Sequence, residues 1–380
     1  MSDFPVPQYS RTQVVKAGET LCKPMPWVEE RADEYRAIFK IAYDWRSTHA
    51  YPMRKFRQDL RNRIKGLKRR GVTAARLKRM KSIRKKLERL NTTLAQIQDI
   101  GGCRAIVDTQ ETLDLLVAQY RSQIGSQKLR TDRSYIEEPR SSGYRSHHLV
   151  FDFEPMTSDE EPFRGRRIEI QLRSRIQHSW ATAVEAIGLH RNEDLKASEG
   201  DADWLRFFQL VSAEFASFEK TGAVPNSPNQ RSARVAEIKK LDNKLQAVRR
   251  LDTLNQSFKF VEKSGPRFAP YFLVQFNSST KTMEIMGYDR LARVSEQYGY
   301  EETNNMNLNT VVVEVDTIND LKEAYPNYFL DVRLFTENVI NIFDGNPLVS
   351  KLTRKSMAQT AQGYAANWLR DFAPGMYKKR

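Results

Sequence analysis

With 380 residues, 40% of them apolar and 10% aromatic, the chain is long enough for two domains and apolar enough for a proper core. No run of about 18 apolar residues occurs, and Met1-Ser2-Asp3-Phe4-Pro5 is not a charged-then-apolar leader, so neither a transmembrane helix nor secretion is expected. Two cysteines, Cys22 and Cys103, give neither a disulfide framework nor a zinc quartet, which fits a reduced cytoplasm. The net charge of +15 is concentrated: Arg54 to Arg89 holds 17 Lys/Arg against two acids, so the rest of the chain is about neutral. Such a stripe attracts polyanions such as nucleotides or RNA.

In chain order, residues 1 to about 28, with four prolines, read as an irregular arm. Val28 to Ala50 has helical periodicity through Tyr35, Ile38, Phe39, Ile41, Ala42 and Trp45, and Pro52 marks its end or a break. Met53 to Arg70 reads as a second helix on Phe56, Leu60, Ile64 and Leu67. After a break at Gly71-Val72, Arg76 to Leu90 reads as an entering loop and a helix with Lys78, Ser82 and Lys86 in one stripe. Like charges spaced by four repel, and a triphosphate along the stripe would relieve that. Arg76 sits where the loop could close over the same ligand.

Asp99 precedes a buried strand, Cys103 to Val107, whose one charged member is Arg104; the pair Gly101-Gly102 permits close approach of a ligand or backbone. Glu111 to Ile124 is a helix. Pro139 to Gly143 is loop chemistry. Tyr144 follows a glycine and is expected to stand clear of the backbone and offer its ring to a base. His148 opens a strand to Phe153.

Ile168 to Arg173 then alternates apolar Ile168, Ile170 and Leu172 with Glu169, Gln171 and Arg173. This is strand grammar. Its polar face sets an acid, an amide and a cation in line, able to hold a metal, a hydroxyl and a phosphate. Helices follow at Arg175 to Leu189 and Trp204 to Phe218, with His178 and Trp180 structural. Thr221 to Ser232 is the best linker, and Arg234 to Phe260 is helical and charged. Beyond Gly265 come a hairpin (Tyr271 to Phe276, Lys281 to Tyr288), a strand (Thr310 to Val315), a short helix capped by Thr317, the turn Tyr325-Pro326-Asn327-Tyr328, a helix from Asp331 to Phe343 and a last helix from Lys351 to Phe372. The fold class expected is α+β: a mixed β-sheet domain flanked by helices over 1–225, a helical linker over 226–264, and a small α+β regulatory domain with a C-terminal helix over 265–380.

Four blocks, Arg76 to Leu87, Asp99 to Ile106, Arg133 to Val150 and Ile168 to Trp180, resemble in order and spacing the synthetase domain of the RelA/SpoT pyrophosphokinases. The resemblance implies transfer of the β,γ-pyrophosphate of ATP to a ribose 3′-hydroxyl, with release of AMP. It implies that Asp99 and Glu169 are catalytic and hold Mg²⁺, and that Glu169 can take the hydroxyl proton. Arg76, Lys78, Ser82, Lys86 and Arg104 would bind ATP; Arg140, Tyr144, His148, Gln171 and Arg173 would bind the acceptor. The chain departs from the family pattern at Arg133, Arg140 and Ser142, which stand where lysines and an asparagine are usual. No His-Asp pair occurs, so alarmone hydrolysis is not expected.

Two acceptors are open. GDP or GTP would give the alarmone (p)ppGpp; the 3′-terminal adenosine of tRNA would make the enzyme a translation-blocking toxin. The excess charge of Arg54 to Arg89 favours RNA. The second domain resembles the antitoxin domain of the fused CapRel toxin–antitoxin group of phage-defence proteins, with Tyr325 and Tyr328 as the pointer. That resemblance implies a tyrosine pair occupying the ATP site until a phage structural protein binds.

Overall fold

The computed structural model describes residues 4–23, 29–122, 125, 127–191, 193, 195, 199–256, 259–263, 269–277, 280, 282–304, 308–326, 329 and 331–352. The elements, in order, are α1 (Arg11–Leu21), α2 (Ala32–Ser47), α3 (Ala50–Gly66), β1 (Gly71–Leu77), α4 (Met80–Arg89), β2 (Gly101–Val107), α5 (Gln110–Ser122), β3 (Lys128–Ser134), β4 (His147–Asp152), β5 (Arg167–Ser174), α6 (Arg175–Arg191), α7 (Ala202–Glu219), α8 (Arg231–Leu245), α9 (Ala247–Gln256), β6 (Lys259–Lys263), β7 (Tyr271–Asn277), β8 (Thr282–Tyr288), α10 (Leu291–Asn304), β9 (Leu308–Glu314), α11 (Ile318–Ala324) and α12 (Arg333–Asp344). The fold is α+β. One mixed sheet of nine strands runs in the order β3-β4-β5-β2-β1-β9-β7-β8-β6.

The alternation in β5 does what its period requires. Ile168, Ile170 and Leu172 face a core shared with Cys103, Ala105 and Val107 of β2, Leu149 and Phe151 of β4, and Met53, Phe56, Leu60 and Ile64 of α3. Leu113, Leu116 and Val117 of α5 close that layer. Removing these side chains from water stabilises the sheet by about 25 cal/mol per Å² of apolar surface. The polar residues of β5 are left on the opposite face. A second cluster joins Ile176, Trp180 and Val184 of α6 to Phe207, Phe208 and Phe215 of α7, and Phe335 and Val339 of α12 pack into it.

The sheet crosses from the first region to the second through a short contact: Ala75 pairs with Glu314 and Arg76 with Val313. Charge reinforces the contact. The Arg57 guanidinium of α3 donates to Glu314 at 3.3 Å and to Asp316 at 2.7 Å. Arg61 lies 3.3 Å from Asp316.

Several expectations are corrected. The proline-rich arm contains α1, started by a capping box in which Ser10 and Gln13 satisfy each other's backbone donors. The break expected at Pro52 falls at Thr48-His49, between α2 and α3, and Pro52 lies in the first turn of α3, where its missing N–H costs nothing. The stretch Gly71–Leu77 is a strand and not a break and loop, because small Ala74 and Ala75 can be wholly buried while pairing with β2. Lys78 therefore precedes α4 and does not share its stripe with Ser82 and Lys86. The charged helix expected over Arg234 to Phe260 breaks at Gln246, whose φ is +52°, and gives way to β6. Charged β3 and helix α10 have no counterpart in the sequence reading. The last expected helix, apart from Lys351 and Leu352, lies outside the described residues, as does Tyr328. Among the described residues no helix is long and apolar enough to cross a membrane.

Candidate active site

Strand register gathers the candidate residues on one sheet face. Arg76 lies opposite Gly102, and Gly102 opposite Glu169. Arg104 lies opposite Gln171, which is also opposite His148 of β4. Cross-strand partners and every second residue share a face, so Arg76, Arg104, Glu169, Gln171, Arg173 and His148 form one polar field. The adjacent glycines divide two tasks. A Cβ on Gly101 would stand 2.7 Å from Ile168 Cδ1, so this glycine permits core packing. A Cβ on Gly102 would meet only Arg76 O at 3.8 Å, so this glycine leaves room between Arg76 and Glu169.

At one end of the field Asp99 is held by two lysines. Lys78 Nζ is 2.9 Å from Oδ2 and Lys86 Nζ is 2.9 Å from Oδ1. The lysines meet because one comes from the loop and the other from α4, not because a helix aligns them. Burial lowers the Lys78 pKa, opposed by the Asp99 charge. Lys78 also acts on Glu169, helping to depress its pKa, so the two carboxylates are neighbours of one ammonium. Ser82 lies on α4 one turn before Lys86.

Glu169 is held from two sides. His148 Nδ1 is 2.9 Å from Oε1, and Gln171 Nε2 donates to Oε2 at 2.6 Å. Burial would raise its pKa; the hydrogen bond and charge of His148 outweigh burial and lower it. For His148, burial would lower the pKa, and Tyr144 and Glu169 outweigh it and raise it. The chain of contacts continues: His148 Nε2 is 2.8 Å from Tyr144 Oη, which accepts from Arg173 Nη2 at 3.0 Å.

Tyr144 does not stand clear of the backbone. Its ring is buried, edge-on to Tyr135, His148 and Trp180. The Arg140 guanidinium lies 4.4 Å from the Tyr135 ring centre and 5.8 Å from that of Tyr144. The turn before it is tight: Gly143 has φ +89°, and a Cβ there would come within 2.9 Å of Ser212 Cβ. Trp180 is structural, its indole N–H donating to Phe208 O at 2.7 Å.

The third cluster covers Arg76 and Arg104. Tyr325, the residue after α11, is 2% exposed, and its ring centre lies 5.4 Å from the Arg76 guanidinium and 4.9 Å from that of Arg104. Arg104 Nη1 donates to Ala324 O at 3.0 Å, and His178 Nε2 lies 3.2 Å from Glu323 O. Burial lowers the Arg104 pKa, and the Arg173 charge adds to it. His178 is pushed well below the ordinary range by burial and then by Arg104 and Arg173, so it is neutral and donates its proton to that carbonyl. The carbonyl end of a helix, the negative end of its dipole, thus rests on guanidinium groups that sequence reasoning assigned to ATP. The part played by Glu323 and Ala324 was not legible, because backbone carbonyls carry no sequence signal.

Among the described residues no group of three His, Cys, Asp or Glu side chains could hold a metal. Asp99 and Glu169 are the carboxylates that would hold Mg²⁺, which takes one or two carboxylates and completes its shell with water and substrate phosphates; here Asp99 is engaged by Lys78 and Lys86, and Glu169 by His148 and Gln171.

Residues 75–193 match the family model described as "Region found in RelA / SpoT proteins". The chain carries a RelA/SpoT-like region. All the candidate catalytic, ATP-binding and acceptor-binding residues fall within it. Over 119 residues the chain is 33% identical to the GTP pyrophosphokinase YjbM of Bacillus subtilis, a match spanning 30% of this chain and 53% of that protein. The chain therefore spans about half the length of that curated relative. Similar solved structures include small alarmone synthetase 1 of Bacillus subtilis bound to its product pppGpp (21% identity, 49% of this chain and 92% of that one, TM-score 0.38). Another is a GTP pyrophosphokinase family protein of Streptococcus pneumoniae (20% identity, 53% and 93%, TM-score 0.37).

Proposed function

We propose that the RelA/SpoT-like region is an ATP-dependent pyrophosphokinase that transfers the β,γ-pyrophosphate to a ribose 3′-hydroxyl, and that in this conformation it is held off by its own second region. The observation that carries the reading is the register that sets Arg76, Gly102 and Glu169 side by side on one sheet face. Phosphoryl-group transfer needs mainly positioning and charge neutralisation. Arg76, Arg104, Lys78 and Lys86 supply four cations for a triphosphate. Glu169, kept ionised by His148 and Gln171, accepts the proton of the attacking hydroxyl. Mg²⁺ held by Asp99 and Glu169 would neutralise phosphate charge when bound. Binding ATP requires Lys78 and Lys86 to exchange the Asp99 carboxylate for phosphate oxygens.

The acceptor in this reading is the 3′-terminal adenosine of tRNA, so the active protein blocks translation. The basic α3 and its flanking residues support it. The organisation proposed is a toxin domain over 1–225, a linker over 226–264 and an antitoxin-like domain over 265–380. Tyr325 supports autoinhibition, since a ring on two guanidinium groups competes with adenine and phosphate for them. A phage structural protein binding the second region is the proposed trigger. A guanosine nucleotide is the second acceptor reading, favoured by the 33% identity to a GTP pyrophosphokinase.

The test is incubation of the full chain and of Tyr325→Ala with ATP labelled in its γ-phosphate, offering tRNA and GDP in parallel. Label in tRNA, stronger in the variant, supports the first reading. Label only in a guanosine product establishes the second, and no transfer by either protein overturns both.

A further inference from the structure

A cavity of about 650 Å³ opens between the two regions, away from the row of Arg76, Gly102 and Glu169. Its lining carries both signs of charge. Arg61, Lys65, Arg69, Arg70, Arg175 and Lys351 line it beside residues 71–73 at the start of β1. Asp316, Asp320 and Glu323 line it as well. Four of the cations are paired: Arg61 with Asp316, Arg175 with Glu323 and Asp108, Lys351 with Asp108, and Arg69 with Glu111. Lys65 and Arg70 line the same space, are exposed, and make no ion pair with any described residue. These two cations have no carboxylate partner among the described residues and are open to an anion from outside.

The cationic lining extends along α3. Arg54, Arg61 and Lys65 are exposed and separated by whole turns, so they share a face. At 1.5 Å per residue, Arg54 to Lys65 covers about 16 Å, the length of several nucleotides of a strand.

We propose that this cavity and the exposed face of α3 form a second phosphate site, which takes the backbone of an RNA chain and is separate from the Arg76–Arg104 cradle. The proposal rests on RNA being the acceptor. A phosphate entering the cavity is drawn to its cations and repelled by its acids. It also needs the guanidinium groups that Asp316 and Glu323 now occupy. RNA binding and docking of the segment from Glu314 to Glu323 therefore oppose each other.

The experiment is fluorescence anisotropy of end-labelled tRNA on the full chain, without ATP, across a salt series. Lys65→Gln combined with Arg70→Gln should weaken binding at least fivefold. It should flatten the log–log salt slope by about 1.4, two contacts at about 0.7 each for single-stranded RNA. Asp316→Asn should tighten binding several-fold. Unchanged affinity and slope in the double variant overturn the proposal. So does competition by inorganic tripolyphosphate as effective as tRNA at equal phosphate concentration, because a small-anion site would then suffice. ATP binding to Tyr325→Ala should be unchanged when Lys65→Gln and Arg70→Gln are added to it; its loss would place these residues in the ATP cleft and overturn a separate site. Label entering only a guanosine product, with tRNA binding as expected, would reject the acceptor reading alone.

Discussion

Arg57 provides a direct test of how the second region is held. Its side chain is 8% exposed and bridges α3 to Glu314, 7% exposed, and to Asp316. Arg57→Met keeps most of the packing volume and removes the charge. Glu314 is then left with Arg54 at 4.0 Å. Removing one partner of a buried pair costs about 3–5 kcal/mol. Here the cost is limited by an escape: burial already raises the Glu314 pKa, so the stranded carboxyl can take up a proton. A net loss of about 3 kcal/mol corresponds to roughly a 150-fold shift toward a state in which β9 has left β1.

The assays for this variant are hydrogen exchange of residues 308–314 and the rate of pyrophosphate transfer without trigger. Both should rise in Arg57→Met. The sign of the pH effect follows from the raised pKa. Ionised Glu314 is penalised in the folded state, so lowering the pH through its raised folded value neutralises it and shrinks the difference from the parent protein. A folded variant with unchanged exchange at residues 308–314 and unchanged transfer would refute the assignment of the clamp.

Glu169→Gln should reduce transfer by about 10²–10⁴-fold; the amide oxygen can still accept from His148, so the variant folds, but it loses the charge-dependent stability of the His148–Glu169 pair. Retained activity would remove Glu169 from the chemistry. The His148–Glu169 pair should add stability only within a window. The raised His148 pKa gives a contribution that is full below the ordinary histidine value of 6.5 and is lost as pH rises through the folded value. The lowered Glu169 pKa gives one that is present above 4.5 and lost as pH falls through the folded value. Melting temperature against pH should therefore lose part of its fall on both sides of that window in His148→Gln. Gly143→Ala should destabilise the turn that seats Tyr144, since φ is +89° and the new methyl meets Ser212 and Trp180. The expected readout is a lower melting temperature and a higher KM for the acceptor, with the KM for ATP less affected.

The β5 alternation, the apolar run of β2, the hairpin of β7 and β8, and the cap Thr317 were all legible in the sequence. Each is a local signal: a period of two, a buried run, a turn between two strands, or a hydroxyl three residues before an orphan N–H. The candidate site residues stand out in the sequence as types in blocks, because charge and hydrogen-bonding capacity belong to a side chain before it folds. What the chain alone did not yield were facts of register and meeting. That Arg76 is a strand residue depends on pairing with β2. The encounter of Lys78 with Lys86 depends on Asp99 lying between a loop and a helix. The burial of Tyr144 depends on Trp180 of α6 packing against it, and that of Tyr325 against two arginines depends on α11 reaching across the sheet. The basic stretch read as a free polyanion surface is partly neutralised by Glu314 and Asp316, more than 250 residues away along the chain. Local sequence sets which groups are present; the long-range packing of β9 and α11 against β1 and α3 decides which of them remain available to a ligand.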